Sequence, residues 1–448
     1  VGHNALGALT IGNNNVAIGK DALATSVDGD YNVAVGYEAL KDYEDGDGDG
    51  FNTAIGGRAM KLATTAEYNT AVGYNALSAA ATGDYNVVMG YNAADALTSG
   101  FSNVAIGANA LTSEDTGARN TAVGYGALGN LNYDGNAYNT AVGYDAGNDL
   151  TTGTANTIMG GLAGDAITTG YGNVAIGYYA LSAEDTGGTN VAIGHAALQV
   201  QDSGSNAYNV AIGYDTGKAI TTGNANTIIG GDAGKSLTTG ANNVAIGYLA
   251  LSTEDTHGRN VAIGRHALKD QDAGIDAHNV AVGYNAGVSV STGSYNTLLG
   301  GLAGDSLTAG SYNVAVGYNA LAGEDAHGRN IAIGTNALTA QDAGSDAYNV
   351  AIGHNVGLSV STGVYNNLIG GNAGSSLTTG TRNVAIGYNA LQAEDAHGRN
   401  IAIGHNALFA QDAGSDAYNV AIGYDAGVAV TTGTLNTLVG GLSGDALT

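Results

Sequence analysis

One five-residue phrase constrains this chain more than anything else in it. Asn, then Val or Thr, Ala, Ile or Val, and Gly recur from Asn15-Val16-Ala17-Ile18-Gly19 to Asn436-Thr437-Leu438-Val439-Gly440. The asparagine stands at 15, 32, 52, 69, 86, 103, 120, 139, 156, 173, 190, 209, 226, 243, 260, 279, 296, 313, 330, 349, 366, 383, 400, 419 and 436. The step is 17, with a 19 at intervals and a single 20; from Asn103 the order 17, 19, 17, 17 repeats, a super-repeat of 70 residues. Asn173, Asn243, Asn313 and Asn383 open its later copies. A fixed period near 20 means stacked units that share one core.

With the Asn as position 1, positions 1–5 read as a strand, since Val, Ile and Thr favour extended chain. A second strand is expected around positions 8–10. Thr-Thr-Gly, Ser-Thr-Gly and Asp-Thr-Gly close the units as turns. No stretch reads as a helix of useful length. The prediction is an all-β chain: a parallel β-solenoid, or β-roll, of about 26 coils of 17–19 residues. At roughly 4.8 Å per coil this would be a rod on the order of 125 Å long. Residues 1–102 form irregular coils, and residues 103–448 the four-coil super-repeats, within one continuous solenoid. Both ends fall mid-phrase, with no atypical capping repeat, so the chain reads as a piece of a longer protein.

Repeated positions acquire reasons. Asn173, Asn190, Asn209, Asn226, Asn243, Asn260, Asn279, Asn296, Asn313 and Asn330 are expected to form an amide ladder, each donating to one neighbouring coil and accepting from the other. Gly at position 5 implies positive φ or close backbone approach. Ala at position 8 implies a tight space. Positions 2 and 4 face one way and 1, 3 and 5 the other, and both sets are apolar. An apolar stripe that long is not left in water, so the second face is expected to be buried against further copies of the chain.

Composition excludes several functions. Of 448 residues 74 are Gly, only three are Phe, and none is Pro, Cys or Trp; the core must be thin and repeated, without disulfides. The net charge is −26, and only 13 residues are Lys or Arg, too few for a nucleic-acid groove. Such acidity attracts divalent cations. No apolar run of about 18 residues is present, so no membrane span is expected, and no signal peptide is visible.

The phrase N-[VT]-A-[IV]-G-Y-x-A-[LG], followed by Thr-Gly, resembles the repeats of trimeric autotransporter adhesin heads. It is also similar to repeats of bacteriophage tail fibres that end in a self-cleaving chaperone. The resemblance covers essentially the whole chain and implies an intertwined homotrimeric, left-handed β-roll or a close relative. Asn stands here where the adhesin heads often have Ser, and the coils are longer.

Chemistry concentrates in the turns. Glu-Asp at positions 12 and 13 of one coil is followed by Gln-Asp in the next. Stacking brings together Asp185 and Asp202, Asp255 and Asp272, Asp325 and Asp342, and Asp395 and Asp412, each pair roughly 5 Å apart by strand spacing. Stacked carboxylates repel unless neutralised, and calcium suits such a ledge. One Ca²⁺ per super-repeat is one reading, with Asp276, Asp346 and Asp416 nearby; solvated carboxylates, paired in some copies with Arg259, Arg329 or Arg399, are the other. Asp45, Asp47 and Asp49 match the start of a calcium loop, but Gly56 stands where its closing Glu belongs. His257, His327 and His397 read as turn residues. Tyr248, Tyr284, Tyr318 and Tyr388 at position 6 form a ladder that packs on itself or touches sugars.

Every carboxylate pair recurs with the period, whereas catalysis needs a singular constellation. The expectation is therefore a non-enzymatic, extracellular shaft at a virion or cell surface. It would self-associate and hold a receptor- or glycan-binding region, outside these residues, away from its base. No cofactor is required, Ca²⁺ excepted as above. The alternative is a repeat surface that itself binds glycans, calcium or ice.

Overall fold

The computed structural model describes residues 1–44 and 49–448. They form two compact units, Val1–Ala225 and Asn226–Thr448. The first holds twelve strands, from β1 (Val16–Ile18) to β12 (Val210–Ile212). The second holds thirteen, from β13 (Thr227–Ile229) to β25 (Thr437–Val439). No described residue is helical. Within each unit every strand pairs in parallel with its equivalent one coil on. Val174, Ala175 and Ile176 face Val191, Ala192 and Ile193; Val384, Ala385 and Ile386 face Ile401, Ala402 and Ile403. The sequence step is thus the circumference of one coil of a β-solenoid.

Strands cover only positions 2–4, and the strand expected at positions 8–10 is absent. Positions 7 and 9 take left-handed backbone angles instead: φ is 57° at Asn389 and 52° at Leu391. Alternating handedness curls the chain, yet hydrogen bonding between coils continues through the curl. Asn389 N–H donates to the Gly371 carbonyl (2.9 Å) in one neighbouring coil and Leu391 N–H to the Ala407 carbonyl (2.9 Å) in the other. These bonds satisfy backbone groups that the turn would otherwise orphan, and they hold non-glycine residues in a conformation they rarely adopt.

Position 5 shows both features that single out glycine. Gly387 has φ of 138°, and a Cβ on it would run into the Gly404 carbonyl of the next coil. The core lies inside the coils. Position 3 is fully buried, as at Ala315, Ala332 and Ala385, and so are Ala at position 8 and Leu at position 9, as at Ala390 and Leu391.

The four coils of a super-repeat trade volume among these positions. In two of them Leu at position 9 becomes Gly, as at Gly287 and Gly304. In the second of that pair position 3 becomes Leu298, whose methyls reach into the space left at both glycines. Position 12 alternates likewise. Val290 and Leu307 are buried there, whereas Glu254 and Gln271 are buried in the preceding two coils.

The asparagines pair differently from a side-chain ladder. Asn313 Oδ1 accepts the backbone N–H of Asn330 (3.0 Å). The same relation joins Asn173 to Asn190 (3.0 Å), Asn190 to Asn209 (3.1 Å), Asn226 to Asn243 (2.9 Å), Asn243 to Asn260 (3.1 Å), Asn260 to Asn279 (3.1 Å), Asn279 to Asn296 (2.8 Å) and Asn296 to Asn313 (2.9 Å). Nδ2 turns inward to its own coil: Asn296 donates to the Gly310 carbonyl (2.8 Å). Asn296 therefore closes its own coil and docks the next one, as do Asn279 and Asn366.

Candidate functional site

Position 12 carries the least expected chemistry. Glu184, Glu254, Glu324 and Glu394 are wholly buried, not part of an exposed ledge. Each side chain curls back onto its own turn. Oε1 accepts the backbone N–H of position 15 at Gly187 (2.8 Å), His257 (3.2 Å), His327 (3.1 Å) and His397 (3.1 Å). Burial raises the carboxyl to about 7 at Glu184, Glu324 and Glu394, because losing water disfavours the charged form. Gln in the following coil meets the same depth without charge. Gln341 Oε1 accepts Asn349 Nδ2 (2.6 Å), and its Nε2 donates to the Ser361 carbonyl (3.0 Å).

The aspartates at position 13 lie outside this buried layer. In two copies a close group forms. Donor atoms of Glu324, Asp325, His327 and Asp342 all lie within 4.8 Å of one another, as do those of Glu394, Asp395, His397 and Asp412. Thus Asp325 meets Asp342, and Asp395 meets Asp412, near the expected separation. In the copy before these, Asp255 groups with Glu254 and His257, without Asp272. Asp185 and Asp202 belong to no such group among the described residues; Gly187 stands where the others have His. Asp45 and Asp47 lie outside the described residues. Asp49 is exposed and forms an isolated parallel bridge with Asp30.

The arginines are engaged elsewhere. Arg259 pairs with Asp276 (3.1 Å), Arg329 with Asp346 (3.1 Å) and Arg399 with Asp416 (2.9 Å). Gly258, Gly328 and Gly398 also donate their N–H to those same aspartates (3.0, 3.2 and 3.0 Å). Asp276, Asp346 and Asp416 are accordingly turn braces, not additional ledge ligands.

The histidines were missed as site residues because one His per 70 residues lacks a recognised spacing. Their partner is the Glu three residues earlier: Nδ1 lies 3.7 Å from Glu254, 3.9 Å from Glu324 and 3.7 Å from Glu394. Glu-Asp-x-His, with another Asp opposite in the next coil, was the signal available in the sequence.

A second feature is the outward strand face. Side chains at positions 2 and 4 stay half-exposed along both units. Ile331, Ile352, Ile369, Ile401 and Ile422 are each between 36 and 39 % exposed. Aromatic rows border this face. The residue before the Asn forms one: Tyr31, Phe51, Tyr68 and Tyr85 stack at 5.0–5.1 Å. In the second unit His278, Tyr295 and Tyr312 stack at 5.3 and 5.1 Å, and Arg329 bridges Tyr312 to Tyr348 (5.6 and 5.4 Å to the ring centres). The sequence reading expected a row at position 6. One exists there in part, as Tyr388, His405 and Tyr424 (5.5 and 5.3 Å), but the row before the Asn was overlooked. Tyr312, Val314, Arg329, Ile331 and Tyr348 line a shallow groove of about 490 Å³.

No protein-family model matches the chain, and no curated protein matches it. No helix among the described residues is long and apolar enough to cross a membrane.

Proposed function

We propose that this chain is a non-enzymatic structural shaft of an extracellular attachment fibre, such as a phage tail fibre or a cell-surface adhesin, built as an intertwined homotrimer. The observation that carries the reading is the outward face. In the second unit alone, half-exposed apolar side chains at positions 2 and 4 amount to on the order of 1,000 Å², more than the roughly 800 Å² per partner of a standard interface. Apolar surface on that scale gains by leaving water. A second copy offers the same face at the same repeat, so periodicity matches without further design. Calcium is not required by this reading.

Glycan binding by the face itself is the second reading, and the groove at Tyr312, Arg329 and Tyr348 favours it. Against it, the flanking rings stack on one another and leave chiefly their edges free, whereas sugars pack on ring faces. Ice binding is weaker still. The leading Thr of the turns bonds within the chain: Thr238 Oγ1 donates to the Asp255 carbonyl (3.0 Å) and Thr378 Oγ1 to the Asp395 carbonyl (2.8 Å).

The absence of cysteine makes the test simple. Cysteine introduced at outward Val314 is expected to form disulfides between chains on mild oxidation, and cysteine at the turn residue Ala340 is not. Equal cross-linking at both places, or none at Val314, would overturn the packing.

A further inference from the structure

Ring-on-ring stacking argues against sugars along the aromatic rows, but at position 6 that stacking is interrupted. Glycine replaces the usual aromatic residue there at Gly161, Gly231, Gly301 and Gly371, once per super-repeat. Backbone conformation does not demand it: none of the four has a positive φ, unlike the glycines at position 5. Crowding does not demand it at Gly161 or Gly301 either. A Cβ there would come no closer than 3.5 and 3.6 Å to any atom, in each case of the next coil's ring, Tyr178 or Tyr318. Those are ordinary contacts, so alanine would fit.

Each of these two glycines lies between exposed tyrosines one coil to either side. Tyr144 and Tyr178 flank Gly161, and Tyr284 and Tyr318 flank Gly301; all four are 50–58 % exposed. Away from the glycine, three of the rings are already covered. Tyr125 stacks on Tyr144 (5.5 Å between ring centres), His195 lies 5.9 Å from Tyr178, and Arg265 lies 5.8 Å from the centre of Tyr284. Across the glycine neither pair stacks. Two coils separate the flanking residues by about 10 Å, so a ring set midway would stand about 5 Å from each, the separation at which rings pack.

We propose that Tyr144, Gly161 and Tyr178, and likewise Tyr284, Gly301 and Tyr318, are two carbohydrate sites, each taking one neutral hexopyranose of a glycan between its tyrosines. This deepens the glycan reading at a place other than the groove, and does not rest on the assembly of the shaft. The net charge of −26 disfavours nucleotides and acidic sugars. Two tyrosine hydroxyls at the rim offer a polyol hydrogen-bond partners beside the ring faces. A second copy of the chain does not account for both slots. Its row before the Asn carries Tyr295 in the coil of Gly301 but only Ala155 in the coil of Gly161.

The test titrates the whole chain, by calorimetry, with neutral hexasaccharides of glucose, galactose and N-acetylglucosamine, and with heparin. At least one neutral saccharide is expected to bind, and heparin is not. Gly161→Leu and Gly301→Leu fill the slots without removing a tyrosine. Each should lower the capacity by one site per chain, and the double variant by two. Thr335→Leu, in the same row outside the slots, and Tyr348→Ala, in the groove, should leave the capacity unchanged. Circular dichroism checks that each variant is folded. Binding lost in Tyr348→Ala but unchanged in the double variant would place the sugar in the groove and overturn the slots alone. No neutral saccharide bound would overturn the glycan reading along with them, and heparin bound at equal capacity would overturn the neutral class.

Discussion

Leu298 fills the space that glycine leaves at position 287: a Cβ built on Gly287 would lie 2.6 Å from a Leu298 methyl. A Cβ built on Gly304 would lie 2.9 Å from the other methyl of the same side chain. Leu298→Ala is therefore expected to lower stability by about 2–5 kcal/mol, since the rigid coils around it cannot collapse into the cavity. Adding Gly287→Leu should restore part of that loss, because Leu occupies position 9 at φ near 50° elsewhere, as at Leu268. Thermal melts of both variants check this. A double variant no more stable than Leu298→Ala would contradict the volume exchange.

Two glycines separate crowding from backbone angle. Gly387→Ala meets both the Gly404 carbonyl and a φ of 138°, and is expected to cost about 2 kcal/mol or more. Gly344 has φ of 64° and open space around it, so Gly344→Ala should cost only about 1 kcal/mol. Denaturant midpoints that rank the two the other way would show that the close approach at position 5 is not what selects glycine.

Asn383 holds the His397 carbonyl through Nδ2 (3.2 Å) and accepts Asn400 N–H through Oδ1 (3.0 Å). Asn383→Ala strands the buried Asn400 N–H, at about 1–3 kcal/mol, and the part-buried His397 carbonyl, at less. Asn383→Asp keeps the acceptor, loses the donor and buries a charge, and should be the worse of the two at neutral pH. Melting temperatures at neutral pH provide the comparison.

The pH dependence has a defined sign. Burial raises Glu184 from 4.5 to about 7, helped by Asp202 and Asp185 and opposed by the N–H groups of Gly187 and Ser203. Between those values the folded chain holds more protons than the unfolded one, so this residue makes stability fall as pH rises from about 4.5 to 7. Glu184→Gln, the choice already present at Gln201 one coil on, should remove its share of the slope and gain most above pH 7. Melting temperature against pH, compared between the two proteins, reads this directly; parallel curves would contradict it.

Much of this was legible in the sequence because a solenoid writes its geometry as a period. The spacing of Asn gave the circumference and the in-register pairing, and Gly at position 5 announced a special backbone site. The stacking of Asp325 on Asp342 followed from the same register. The curl at positions 7–9 was hidden because Asn389 and Leu391 carry no glycine signal for positive φ; neighbouring coils impose that conformation. The burial of Glu394 was hidden because glutamate is ordinarily a surface residue, and its hydrogen bond to the backbone N–H of His397 is a turn contact that the strand phrase does not announce. The histidines became readable only once Glu394 was seen to turn inward.

Coverage of the outward face at Val314, Ile331 and their repeats by further copies of the chain would fix the mass of the particle in solution. Light scattering of the purified chain, with calcium and then with chelator, tests it most directly. A mass three times the 44.2 kDa of one chain is expected in both buffers. A stable monomer would contradict it.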